Sequence, residues 1–142
     1  MEKLTQKAAE AIMDTQKVAL SHGNPEIGSA HLLYSLLYQE EGLIPQLLKY
    51  MSVDVESVKK DAEGLVNSLP SVTGTAAQNP YVSAELNKIF IEAENIAKNF
   101  KDEYISVEHL FMALLDKASS RVTGILNRHN VNKNTFLKAL QA

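Results

Sequence analysis

Shifted by 78 residues against itself, without a gap, the chain brings NPEIGSAHLLYSLL (24–37) onto DEYISVEHLFMALL (102–115), with His31 falling on His109. The same shift aligns Leu4-Thr5 with Val82-Ser83, Ile12 with Phe90, Val18-Ala19 with Ile96-Ala97, Leu47-Leu48 with Ile125-Leu126 and Val53-Asp54 with Val131-Asn132. A long-period duplication whose apolar positions stay in register is how two copies of one structural unit share a core. Each half must then be such a unit. The repeat divides the 142 residues into repeat one (1–69), a connector (70–80) and repeat two (81–142), all within one domain.

Within each copy the apolar spacing is helical. Leu4, Ala8, Ala11, Ile12, Thr15, Val18 and Ala19 step by threes and fours, as do Leu86, Ile89, Phe90, Ala93, Ile96 and Ala97. Thr5 and Ser83 stand just before these first helices, where a side-chain oxygen can accept from unpaired amides of the opening turn. Second helices run from about Ser29 to Leu37 and from Ser106 to Leu115. Their leucine content on several sides makes them the central, most buried pair. Third helices cover roughly Leu43 to Tyr50 and Ser120 to Arg128, and Asp54 and Asn132 cap the fourth. The expectation is an all-α fold, a tandem repeat of two four-helix units (eight helices) with pseudo-twofold symmetry and no strand. PSVTGTAAQNP (70–80), bounded by prolines and made of small and polar residues, reads as an exposed connector.

Charge and composition exclude several function classes. Fourteen Lys and Arg against seventeen Asp and Glu leave a net charge of −3, with no basic stripe for phosphates, and the aromatics do not interleave with basic residues as a base-stacking platform would require. No nucleic-acid partner is expected. With no cysteine there is no disulfide framework, thiolate metal site or cysteine nucleophile, which fits a reducing, cytoplasmic setting. The opening MEKLTQKAAEAIM is amphipathic, not a basic stretch followed by an apolar run, and nothing reaches the ~18 apolar residues of a membrane span. Neither a secretory leader nor a membrane partner is expected.

Taken together, LTQKAAEAI, IGSAHLLYSLL and DEYISVEHLFMALL resemble the N-terminal domain of the Clp family of AAA+ chaperones, over essentially the whole chain. The inter-repeat stretch LPSVTG is most similar to the ClpB disaggregase branch. The resemblance implies a domain tethered to a hexameric ATPase ring, engaging unfolded or aggregated polypeptide and helping to deliver it to the central pore. It also implies as partners the AAA+ modules of the parent hexamer and a co-chaperone or adaptor. No glycine of the chain begins or ends a GxxxxGK[ST] phosphate loop, so no enzyme activity and no cofactor are expected of this segment. ATP and Mg would belong to AAA+ modules outside it, and the chain reads as a domain excised from a longer chaperone.

By the same resemblance, Thr5, Asp102 and Glu108 match polar positions of the family's substrate groove, and Ile96 matches an apolar one. Glu92 and His109 stand where the family tends to be apolar. Each residue also has a plain structural reading: Thr5 as a cap, Asp102 in an Asx turn, Glu108 favoured by the helix dipole by roughly 0.3 to 1 kcal/mol, Ile96 on the inward stripe. The repeat favours binding for the acids, because Glu108 corresponds to Ala30 and Asp102 to Asn24. Asp102→Ala and Glu108→Ala are accordingly expected to spare the fold and weaken client capture. His31 and His109 lack the further ligands that a metal site needs, and each is expected to donate to a backbone carbonyl at the start of a buried helix. His22 and His129 read as surface residues, and Phe100 as a partly exposed aromatic that can join the groove. Two rival functions remain open at this point. One is an adaptor-docking domain of the ClpA or ClpC type; the other is a small all-helical enzyme using His109 and Glu108 as an acid-base pair.

Overall fold

The structure, a computed structural model, describes residues 3–142, the side chains of 76 and 77 excepted. Copy one contributes α1 (Gln6–Ser21), β1 (Glu26–Ile27), α2 (Ser29–Leu37), α3 (Leu43–Tyr50) and α4 (Val55–Asn67). A one-turn α5 (Thr75–Gln78) lies in the connector. Copy two follows with β2 (Tyr81–Val82), α6 (Ala84–Asn99), α7 (Val107–Lys117), α8 (Ser120–Arg128) and α9 (Lys133–Gln141). The eight expected helices are all present; α5 is the addition.

Side-chain caps open four of them, at the residues the sequence singles out. Thr5 Oγ1 accepts from the Ala8 amide at 3.2 Å, Ser83 Oγ from Leu86 at 3.0 Å, Asp54 Oδ1 from Ser57 at 3.2 Å and Asn132 Oδ1 from Thr135 at 3.0 Å. Each bond satisfies a donor that helix geometry leaves unpaired, worth about 1 kcal/mol. α2 and α7 form the centre: Leu32, Leu33, Leu36 and Leu37 of one, and Leu110, Phe111 and Leu114 of the other, are fully buried. α1 presents Ala8, Ala11, Thr15 and Ala19 inward, small residues that let its backbone approach α2 closely enough for Ser35 Oγ to donate to the Ala11 carbonyl at 2.6 Å. Phe136 of α9 closes the other end against Phe111, the ring centroids 4.7 Å apart.

The expectation of no strand needs correcting. β1 and β2 pair in parallel, Glu26 with Tyr81 and Ile27 with Val82, and an isolated parallel bridge joins Leu4 to Ile105. The two pairings are one relation used twice. Under the 78-residue shift Ile27 becomes Ile105 and Leu4 becomes Val82, so the segment before the second helix of each copy pairs with the segment before the first helix of the other. The hydrogen bonds agree: the Ser83 amide donates to Ile27 O at 2.9 Å and the Thr5 amide to Ile105 O at 3.0 Å. This exchange carries the pseudo-twofold symmetry and fixes each copy's pre-helix loop on its counterpart.

The turns obey the same symmetry. After α1 the chain reverses through Gly23 at φ 67°, and after α6 through Lys101 at φ 60°. In both, the next amide returns to the helix: Asn24 N to Ala19 O and Asp102 N to Ala97 O, each at 2.9 Å. This left-handed closure aims the side chains of Asn24 and Asp102 back at the second helices.

Candidate functional site

In copy two, the left-handed turn at Lys101 places Asp102 over the first turn of α7. His109, 2% exposed, accepts the Ser106 amide proton on Nδ1 at 2.9 Å and directs Nε2 to Asp102 Oδ2 at 2.8 Å. An amide N–H can only donate, so the Nδ1 lone pair is engaged and the ring proton of the neutral imidazole sits on Nε2, facing the carboxylate. Ser106 Oγ also lies 2.9 Å from Nδ1. Copy one repeats the clamp: His31 Nδ1 accepts from the Gly28 amide at 2.9 Å, and Nε2 meets Asn24 Oδ1 at 2.9 Å. Burial, with the charge of His22 as a smaller contribution, lowers the His31 pKa from 6.5 to about 4.

Two expectations change here. The histidines do not donate to backbone carbonyls; their partners are the side chains of Asn24 and Asp102, brought into reach by the turn seven residues earlier. The contrast between Asn24 and Asp102 also has a structural cause. Asn24 Nδ2 donates to the Pro70 carbonyl at 3.0 Å, a bond an aspartate cannot make, and so ties the connector to copy one. Beside it, Val72 N donates to Gly23 O at 2.8 Å and Ser71 Oγ to His22 O at 2.8 Å. Asp102 makes no equivalent bond among the described residues and stays half exposed.

Around Asp102 the surface is concave on both sides. One cleft, about 480 Å³, is lined by Phe100, Leu137 and Leu140 together with Asp102, Glu108, His109 and Gln141. Phe100 is 44% exposed and meets the His109 ring edge-on, centroids 5.9 Å apart. A second cleft, about 360 Å³, lies between Lys3, Glu94, Ala97, Lys98 and Ile105, and Asp102 and Glu103 complete it. Asp102 therefore forms the ridge between the two. Glu108 occupies the first turn of α7, where the amide dipoles favour a carboxylate.

Of the five residues named from the sequence, Asp102, Glu108 and His109 come together in one cleft. His109 contributes a ring edge, since both its nitrogens are bonded within the protein. Thr5 and Ile96 line neither cleft: Thr5 caps α1 and pairs its amide with Ile105, next to the same loop, while Ile96 is only 9% exposed and belongs to the core. Leu137 and Leu140 are lining residues of the last helix that the sequence reading did not place in the site. Their spacing of three was legible; their partial exposure was not. His22 and His129 are not free surface residues either. His22 Nδ1 lies 2.8 Å from Val18 O, and His129 Nε2 lies 2.9 Å from Asp61 Oδ2, linking α8 to α4.

Chemically the cleft brings apolar side chains and carboxylate oxygens together. Ser106, His109 and Asp102 share the side-chain types of a hydrolytic triad. Yet the Nδ1 lone pair that would take the Ser106 proton is already engaged by the Ser106 amide, and copy one builds the same clamp with Gly28 in the serine's place. Among the described residues no group of three or more His, Asp or Glu side chains is placed to hold a metal ion, and no helix is long and apolar enough to cross a membrane.

Comparison with known proteins agrees with this architecture. The sequence profile of the Clp repeat (R) N-terminal domain matches residues 3–129. The chaperone protein ClpB of Clostridium tetani is 39% identical over 143 residues, which take in 99% of this chain and 16% of that protein, so the chain spans about a sixth of the length of such relatives. Among solved structures, the Hsp104 N-terminal domain from Candida albicans superposes with a TM-score of 0.85 at 17% identity, covering 97% of this chain and 89% of that one. A ClpV N-domain in complex with a VipB peptide gives a TM-score of 0.71 at 18% identity, covering 96% of this chain and 88% of that one.

Proposed function

The chain belongs to the Clp repeat N-terminal domain family, and from that premise we propose that it is a polypeptide-binding module, collecting unfolded or aggregated chains for a ClpB-like AAA+ disaggregase. The observation that carries the proposal is the cleft in copy two. Phe100, Leu137 and Leu140 expose apolar surface that a folded monomer gains by covering, and Asp102 and Glu108 line the same cleft with acceptors for a peptide's backbone N–H groups. An extended segment can use both at once; a folded surface, with its amides already paired, cannot. The similarity to ClpB over nearly the whole chain supports the disaggregase branch, and the complex of a ClpV N-domain of the same fold with a VipB peptide supports peptide binding.

In this reading the segment binds and does not hydrolyse, and ATP chemistry belongs to AAA+ modules outside it. His109 and Asp102 act by shaping the cleft. The test is to titrate the protein with a permanently unfolded, chemically modified client and with the same client folded. Selective, roughly micromolar binding of the unfolded form is expected, since a cleft of this size buries little area. Equal binding of both forms would instead favour a docking surface for folded adaptors.

A further inference from the structure

The connector leaves copy one and returns to it at nearly the same place. At its start Val72 N donates to Gly23 O at 2.8 Å, and at its end Tyr81 N donates to Pro25 O at 3.0 Å, so two carbonyls of one short turn hold both feet. Among the described residues, 73–80 make no hydrogen bond to either copy, and 73–75, 78 and 79 are exposed. An exposed excursion of this length with adjoining ends has the form of an Ω-loop. The copies are joined elsewhere. Besides the reciprocal strand pairing, Ile105 N donates to Lys3 O at 2.7 Å. Glu85 of copy two accepts from copy one, its Oε1 from the Ser29 amide at 3.0 Å and its Oε2 from Ser29 Oγ at 2.7 Å. His129 Nε2 lies 2.9 Å from Asp61 Oδ2, and Arg121 Nη2 donates to Ser68 Oγ at 2.7 Å. Buried residues of both copies form one apolar cluster.

We infer that the two copies are a self-sufficient non-covalent pair, and that 73–80 is a site where a protease can cut the chain, or an insertion lengthen it, while the domain stays assembled. Neither copy buries its apolar face without the other, and none of the bonds that join them runs through the loop. The loop's contribution is to keep the copies near one another, at an effective concentration on the order of millimolar for a short flexible link. Hydrolysis of one peptide bond there consumes one water and leaves a carboxylate and an ammonium, both on exposed chain. A cut between Ala76 and Ala77 leaves the bonds of Pro70, Ser71 and Val72 to copy one on the first fragment, and β2 on the second. Its cost is the lost tether. At about 10 micromolar protein, that lowers the folding equilibrium roughly hundredfold and makes stability depend on concentration, because the cut protein unfolds into two molecules.

The probe is elastase, which cuts after small residues such as Ala76 and Ala77, applied to the folded protein. Mass spectrometry locates the cut, size-exclusion chromatography reports assembly, and amide chemical shifts report the fold. Cleavage between Val72 and Pro80 is expected, with both fragments eluting together where the intact protein does and the amide signals of Thr5, Ile27, Asp102 and Glu108 unmoved. The thermal midpoint of the cut protein should rise with protein concentration, and that of the intact protein should not. A second variant needs no protease. About twelve Gly and Ser residues inserted between Ala76 and Ala77 should lower the folding equilibrium by less than about tenfold, since closure cost grows only with the logarithm of loop length. A loop that resists elastase, fragments that part on the column, a cut protein whose midpoint ignores concentration, or an insertion that unfolds the domain would each overturn the inference. No client enters these measurements, so their outcome is separate from that of the polypeptide-binding reading.

Discussion

His109 Nε2 lies 2.8 Å from Asp102 Oδ2, and the pseudo-twofold sets His31 Nε2 at 2.9 Å from Asn24 Oδ1. A half-exposed acid in a cleft is thus also the partner of a buried imidazole. Removing the Asp102 side chain strands the buried Nε2–H, at a cost of about 1 to 3 kcal/mol. Asp102→Ala is therefore predicted to lower stability by that amount in urea unfolding, in contrast to the intact fold expected from the sequence. Asp102→Asn, which copies the arrangement of copy one, should stay within about 1 kcal/mol of the parent. Equal losses for the two variants would contradict the clamp. Because of this dual role Asp102→Ala cannot isolate binding, and Glu108→Ala can.

The converse exchange tests the connector. Asn24→Asp keeps the acceptor for His31 but deletes the donor to Pro70 O. A loss of at least about 1 kcal/mol is expected, from the missing bond to Pro70 and from a carboxylate placed where Asn24 is only 2% exposed. Faster proteolytic cleavage between Pro70 and Pro80 should accompany it, and a cleavage rate equal to the parent's would show that the connector is held by other bonds.

Acid should act on His31. Its folded pKa of about 4 lies below the ordinary 6.5, so between those values the unfolded chain binds the extra proton and the folded chain does not. Stability is fully present above pH 6.5 and falls as pH drops from 6.5 toward 4, by about 3 kcal/mol in total at roughly 1.4 kcal/mol per unit. Urea midpoints of the parent and of His31→Gln across that range measure it. The variant should lose about one proton's worth of slope; parallel curves would remove His31 from the account.

Gly23 and Lys101 occupy equivalent left-handed positions, and only one is glycine. Lys101→Gly should stabilise the protein by up to about 1 kcal/mol by relieving the side chain's conflict with its own backbone. Gly23→Ala should destabilise, both from that conflict and because an added Cβ would sit 3.1 Å from Val72 O. Thermal unfolding of the two variants gives the signs directly.

How much of this was legible in the chain divides along the range of the interactions. The caps at Thr5, Asp54, Ser83 and Asn132 act on amides three residues away, so local spacing revealed them. The clamp was half legible. The repeat pairs Asn24 with Asp102 and His31 with His109, but only the left-handed turns bring residues seven apart into contact, and nothing in the spacing announces the bond. Strand pairs two residues long have no periodicity to detect, and their partners lie more than fifty residues away. Asn24 reaching Pro70 across 46 residues is invisible for the same reason, so the difference between Asn24 and Asp102 weighed toward binding in the sequence although it also has this structural cause. In the cleft, Phe100, Asp102 and Glu108 were found from the chain. Leu137 and Leu140 were not, because an apolar stripe looks alike whether it is fully covered or lines an opening.

The most direct test of the polypeptide-binding cleft is the affinity of a permanently unfolded client for the parent protein and for the double variant Phe100→Ala, Glu108→Lys, with matched thermal unfolding curves for both. These residues are exposed or partly exposed and make no side-chain bond across the core, so the fold should persist. The account predicts that affinity falls by roughly tenfold or more, about 1.4 kcal/mol, with the unfolding curve little changed. Unaltered affinity in a folded double variant would contradict it.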